Sequence, residues 1–171
     1  ASTATLSAIL SAREKYSDFE INKKGLSGFK PFKIYCSTET HSSIEKAVKI
    51  AGLGSENLRK IKVDDELGMK ISELKQAIEK DISLGYRPLC VIAALGNTST
   101  TAIDPIEGIG EICRDFDIWF HVDAEYSGTA LILPEYQYLI EGIEDVDSFV
   151  FNQHKWLFTN FDLSAYFVRE K

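Results

Sequence analysis

The chain has 171 residues, with 19 Lys and Arg against 26 Asp and Glu and a formal net charge of −7. That length allows one domain with a core of its own and no need of disulfide staples. The acidic balance argues against nucleic-acid binding, which demands clustered Lys and Arg. Membrane insertion is equally disfavoured, because the longest apolar stretch, Leu89 to Leu95, falls far short of the ~20 residues a spanning helix needs.

Three widely spaced cysteines, Cys36, Cys90 and Cys113, lie in apolar or strand-like surroundings. They read as reduced packing residues of a cytoplasmic protein, not as a disulfide frame or metal site. No signal-peptide pattern is present. The chain opens on Ala1-Ser2-Thr3-Ala4-Thr5 without an initiator Met, so we expect a processed chain or a piece of a longer one.

Leu6, Ile9 and Leu10 place an apolar stripe on a first helix over residues 3–15, and Phe32 to Cys36 reads as a short strand. Ser42-Ser43-Ile44-Glu45 has the form of a capping box, a hydroxyl followed three residues later by a carboxylate. It predicts a helix to about Ala51, ended by Gly52 and Gly54. A strand over Leu58 to Val63 follows. Ser72 is then expected to cap a helix carrying Leu74, Ala77, Ile78 and Ile82 at helical spacing, stopped at Gly85. Leu89 to Leu95 is apolar at every position, the mark of a strand covered on both faces. A helix over Ile106 to Phe116, a strand over Ile118 to Val122, a short helix around Glu135 to Ile140 and a strand over Ser148 to Phe151 complete the pattern, with Leu163 to Val168 as a further candidate strand. Such alternation predicts an α/β fold: a mostly parallel sheet with helices on both faces and right-handed crossovers. No repeat or linker interrupts it.

In sheets of this kind ligands sit beyond the carboxyl ends of the strands. Four predicted strands deliver polar residues there: His41 after the first, Asn97 and Thr98 after Leu95, Asp123 at the end of another, and Lys155 after Phe151. Taken alone, Lys155 reads more readily as a surface lysine at a strand end, His41 as a surface or core residue, and Asp123 as a turn cap. Together they suggest a site. A lysine held in a cleft, flanked by His154 and Trp156, can serve as an amine nucleophile. A lysine and an aspartate are the two groups that a pyridoxal phosphate enzyme needs from its protein.

The segments Gly96-Asn97-Thr98-Ser99-Thr100-Thr101-Ala102-Ile103-Asp104-Pro105, Trp119-Phe120-His121-Val122-Asp123-Ala124, Asp147-Ser148-Phe149, Asn152 with His154-Lys155-Trp156, and Asn160-Phe161-Asp162 are similar to the pyridoxal-phosphate-dependent group II decarboxylases. So are Thr38 to Ala47 and the helix through Lys15. The His-Lys-Trp and Asn-Phe-Asp pieces favour the aromatic-L-amino-acid and tyrosine decarboxylase branch. The resemblance covers essentially the whole chain. It implies the large domain of a fold-type I enzyme, with residues 1–171 as a partial cofactor-binding domain. An amino-terminal dimer-forming segment, a catalytic loop and a carboxyl-terminal small domain are expected outside it, in a homodimeric parent.

The resemblance further implies pyridoxal 5′-phosphate as cofactor, with Lys155 as the Schiff-base lysine. Asp123 would pair with the ring nitrogen, His41 would stack on the ring, and Thr98 would lie beside it. Ser2, Asn152 and His154 would serve the phosphate, although Ser2 reads equally as a helix cap. The implied activity is decarboxylation of an aromatic L-amino acid to amine and carbon dioxide. An aromatic aldehyde synthase on the same scaffold, or a truncated non-catalytic binding module, are the alternatives. The isolated 171 residues are expected to be inactive. Three positions depart from the family pattern: Glu125 where a small Ala is usual, Gln153 where Pro is usual, and Thr3 where an acidic residue is usual. Glu125 would add bulk and negative charge beside Asp123.

Overall fold

The computed structural model describes residues 2–169. In chain order the elements are α1 (Ser2–Lys15), α2 (Ile21–Lys24), β1 (Phe32–Ser37), α3 (Ser43–Ile50), β2 (Leu58–Ile61), α4 (Ile71–Ser83), β3 (Arg87–Ala94), α5 (Ile106–Asp115), β4 (Trp119–Asp123), β5 (Ser148–Asn152), α6 (Gln153–Trp156) and β6 (Ser164–Val168). One six-stranded sheet has the order β2-β1-β3-β4-β5-β6. Its first five strands are mutually parallel, and β6 runs antiparallel along β5.

Period-two alternation splits the core between two faces. On one face Ile34, Cys36, Cys90 and Ile92 meet Ile9 and Ala12 of α1 and Ile44 and Val48 of α3. On the other, Tyr35, Val91, Ala93, Phe120 and Val122 meet Leu74 and Ile78 of α4 and Ile109 and Cys113 of α5. Because β3 is covered on both sides, an apolar residue is needed at every step, and residues 88–94 are all buried. Each fully buried Ile or Leu contributes about 1.5–3 kcal/mol, so most of the fold's stabilisation lies in these two layers. All three cysteines are buried and unbridged, as their apolar surroundings implied.

Two helix starts differ from expectation. Ser42 precedes α3 but has helical backbone angles and makes no capping hydrogen bond. The hydroxyl that matters is that of Ser43, which turns back to His41. Ser72 lies inside α4, whose first flanking residue is the extended Lys70. The helix ends follow the sequence more closely. At α3, Gly52 has φ +75°, and Leu53 N–H donates to the Val48 carbonyl at 3.2 Å, a glycine-dependent stop. The Glu135–Ile140 helix is a 3-10 turn, Pro134–Ile140.

Candidate active site

Parallel strands end at the same edge of the sheet, so every connection leaving β1, β3, β4 and β5 begins there. After β3 the chain turns sharply at Gly96 (φ +76°), where a Cβ would stand 1.8 Å from Ser127 Oγ. The next residue, Asn97, is consumed by the turn: its Oδ1 accepts from Ser99 N–H at 3.1 Å, Thr100 N–H at 2.8 Å and the Thr100 hydroxyl at 2.9 Å. Asn97 is therefore a structural residue and not the site residue its position suggested. It leaves Thr98 exposed at the top of the turn.

Asp123 closes β4 and is 7% exposed. Burial pushes its carboxyl up to about 6, helped by the nearby charge of Glu125 and opposed by the Glu125 N–H and by Lys155. That N–H donates to Asp123 Oδ1 at 3.2 Å. Asn152 closes β5. Its Oδ1 accepts the Ser164 hydroxyl at 2.5 Å, because β5 and β6 pair with Asn152 opposite Ser164. One turn later on α6 stands Lys155, whose side chain is 23% exposed.

The side chain between these groups is Glu125. Lys155 Nζ donates to Glu125 Oε1 at 3.0 Å, the Thr98 hydroxyl reaches the same oxygen at 3.5 Å, and Asn152 Nδ2 reaches Oε2 at 3.5 Å. Lys155 Nζ also lies 5.4 Å from the centre of the Tyr126 ring, which packs edge-on against Trp156. The lysine expected as a desolvated amine is thus half-buried and engaged in an ion pair. Beyond Trp156 opens a cavity of about 580 Å³ whose lining includes Ile103, Thr129, Leu133 and Leu139.

The remaining predicted residues fall elsewhere. His41 is exposed just before α3; its Nδ1 accepts from Ser43 N–H at 3.2 Å and lies 2.9 Å from the Ser43 hydroxyl. It shares with Ser2, Thr3 and Lys46 a second cavity of about 230 Å³ between α1 and α3. His154 makes its contacts with the chain entering β6: Nδ1 lies 2.9 Å from the Leu163 carbonyl and 3.3 Å from Asp162 Oδ1, and its ring meets Phe161. The candidates therefore form two groups, Lys155, Asp123, Thr98 and Asn152 around Glu125, and His41 with Ser2, while His154 stands apart from both against the chain entering β6.

Tyr126, Ser164 and Lys46 were not anticipated. For Ser164 the only available signal was the strand pairing, which local sequence does not show. His121 lies two residues before Asp123 on β4, paired with Ser148 of β5. It is fully buried, with Nδ1 2.9 Å from Ser148 Oγ, and burial lowers its pKa to about 4.

Among known proteins, the pyridoxal-dependent decarboxylase conserved domain matches residues 1–171. The chain is 39% identical to tryptophan decarboxylase 2 of Oryza sativa subsp. japonica and 39% identical to a phenylacetaldehyde synthase of Arabidopsis thaliana. In both cases the match covers 100% of this chain and 34% of the relative. The crystal structure of Catharanthus roseus tryptophan decarboxylase in complex with L-tryptophan superposes with a TM-score of 0.90 at 38% identity, over 98% of this chain and 35% of that one. The chain thus spans about a third of the length of the relatives it matches. A whole-length domain match, 39% identity to a tryptophan decarboxylase and a TM-score of 0.90 to a solved one place this chain in the pyridoxal-dependent decarboxylase family.

Proposed function

We propose that this chain is the cofactor-binding large-domain core of a cytoplasmic, homodimeric lyase that decarboxylates an aromatic L-amino acid, using pyridoxal 5′-phosphate. The observation that carries this reading is the delivery of one primary amine, Lys155, and one buried carboxylate, Asp123, to the same sheet edge, linked through a single residue, Glu125, whose side chain takes the amine and whose backbone N–H takes the carboxylate. The donor set fits the cofactor. An aldehyde needs an amine, supplied by Lys155, and a ring nitrogen needs a carboxylate, supplied by Asp123. When bound, pyridoxal phosphate supplies the electron sink for the electron pair left as carbon dioxide departs.

The residues' own parts follow from their chemistry. Lys155 Nζ would hold the cofactor covalently. Asp123, with its carboxyl pushed up to about 6, would hold a proton at the ring nitrogen. Thr98 would bound the ring on the β3 side, and His41 would cover a face of it. Ser2 at the start of α1, with Asn152 and His154, would serve the phosphate, as helix-start amides favour anions. The apolar cavity beyond Trp156 offers a place for an aromatic side chain away from water. Buried unbridged cysteines support a reducing compartment. Exposed Phe158, Phe161 and Phe167 leave apolar surface for a second copy to cover.

A second reading is favoured by one observation: the match to a phenylacetaldehyde synthase is as strong as that to a tryptophan decarboxylase. Product analysis separates them: both release carbon dioxide, but the decarboxylase leaves the amine, whereas the synthase consumes dioxygen and leaves the aldehyde with ammonia and hydrogen peroxide. The cofactor assignment is tested by borohydride reduction of the full chain with pyridoxal phosphate, followed by peptide mapping. A pyridoxyl group on Lys155 is expected, and label elsewhere or nowhere would overturn the reading.

A further inference from the structure

Glu125 is the residue at which Lys155, Thr98, Asn152 and Asp123 meet. One oxygen takes Lys155 Nζ at 3.0 Å and the Thr98 hydroxyl at 3.5 Å, the other takes Asn152 Nδ2 at 3.5 Å, and its backbone N–H holds Asp123. Its side chain is 18% exposed and that of Lys155 23%, so the pair is mostly shielded from water, which would otherwise weaken it. A surface ion pair could be dismissed as nearly neutral in energy. This one is half-buried, has two further donors, and sits on the nitrogen that the proposed function requires.

We propose that Glu125 is a built-in competitor for Lys155, a positioning residue that holds the amine and thereby sets how readily this site accepts an aldehyde. The inference rests on the reading of Lys155 as the attachment point. Nζ can attack a carbonyl carbon only after it gives a proton up to solvent and so leaves its ion pair with Glu125; the C=N bond then forms as the carbonyl oxygen departs as water. Release breaks one charge-assisted hydrogen bond and leaves a shielded carboxylate facing Asp123, a like charge. Thr98 and Asn152 stay with Glu125 and favour its present position. Hydrogen bonds to charged groups are strong enough for their loss to change affinity by roughly ten-fold or more.

The test compares the full chain with its Glu125→Ala, Glu125→Gln and Lys155→Ala variants. Glutamine keeps the size and one acceptor oxygen but removes the charge, so it serves if alanine disturbs folding. The first measurement is equilibrium binding of pyridoxal phosphate, with borohydride-trapped stoichiometry at residue 155. The second uses no cofactor: competitive acylation by acetic anhydride, read by peptide mass as the reactivity of Lys155 relative to exposed Lys30 in the same sample. Both Glu125 variants are expected to bind the cofactor about ten-fold tighter and to raise the relative reactivity of Lys155. A purely structural role would leave that ratio unmoved. Unchanged affinity and reactivity, or weaker binding in both variants, would overturn the proposal. If wild type and variants all fail to take the pyridoxyl group at Lys155, the functional reading falls, and the acylation ratio still decides whether Glu125 holds the amine.

Discussion

Asp104 and Ala94 hold each other twice: Asp104 N–H donates to the Ala94 carbonyl at 2.9 Å, and Ala94 N–H donates to Asp104 Oδ2 at 2.7 Å. The other carboxylate oxygen accepts Met69 N–H at 2.8 Å. A 2% exposed side chain thus clamps the carboxyl end of β3 and the turn that carries Thr98. Asp104→Asn keeps the shape but must face one of the two amides with an NH2 group. We expect a loss of about 1–3 kcal/mol in stability, measured by urea unfolding. A midpoint equal to that of wild type would show that the carboxylate is not the clamp.

Gly96 meets two separate penalties when substituted, a positive φ and a collision. Gly96→Ala should destabilise by about 2 kcal/mol or more from strain and overlap. Since the colliding atoms are Ser127 Oγ and Cβ, the Gly96→Ala/Ser127→Gly pair should recover the steric part and leave only the backbone part, about 1 kcal/mol. Strict additivity in this double-mutant cycle would contradict the geometry.

His121 makes a contribution to stability that depends on acid. Its pKa falls from an ordinary value near 6.5 to about 4 on burial, so below pH 6.5 the unfolded chain takes up a proton that the folded chain refuses. Stability from this group is therefore full above pH 6.5 and lost as pH falls toward 4. Asp123 and Asp104, both raised to about 6, act in the opposite sense, gaining stability over the same range. The clean measure is the difference between wild type and His121→Gln. That difference should shrink by about 2 kcal/mol between pH 7 and pH 4.5; a constant difference would exclude a buried neutral imidazole.

Asp81 is fully buried within α4 and accepts the Tyr35 hydroxyl and Arg59 Nε, each at 3.0 Å. It ties α4 to β1 and β2. Asp81→Ala strands a buried phenol and should cost about 3 kcal/mol, whereas Tyr35→Phe, which leaves the Arg59 pair intact, should cost about 1 kcal/mol. Thermal or urea unfolding of both variants checks the order; equal losses would mean that the phenol, not the ion pair, dominates.

What the sequence made legible depended on how far apart the interacting residues lie. β3 could be read directly, because burial on both faces forces an apolar residue at every step. The antiparallel course of β6 could not, since nothing in Ser164 to Val168 records its partner. Ser42 looked like a helix cap because the capping pattern is local, yet Ser43 is drawn to His41. Lys155 and Asp123 were both recognisable as strand-end residues. Their link through Glu125 requires β4 and β5 to pair with Asp123 opposite Val150, a register that appears only when the sheet is assembled.

The strand order also has a consequence for synthesis. Each parallel neighbour is reached by a crossover, and β1 pairs with β3, Ile34 standing opposite Cys90. A chain emerging from the ribosome therefore presents His41 and Ser2 early, then Thr98, then Asp123, with the amine of Lys155 last. Topologies dominated by such distant pairings assemble slowly. The contact between Lys155 and Glu125 can therefore form only once β5 has joined the sheet beside β4.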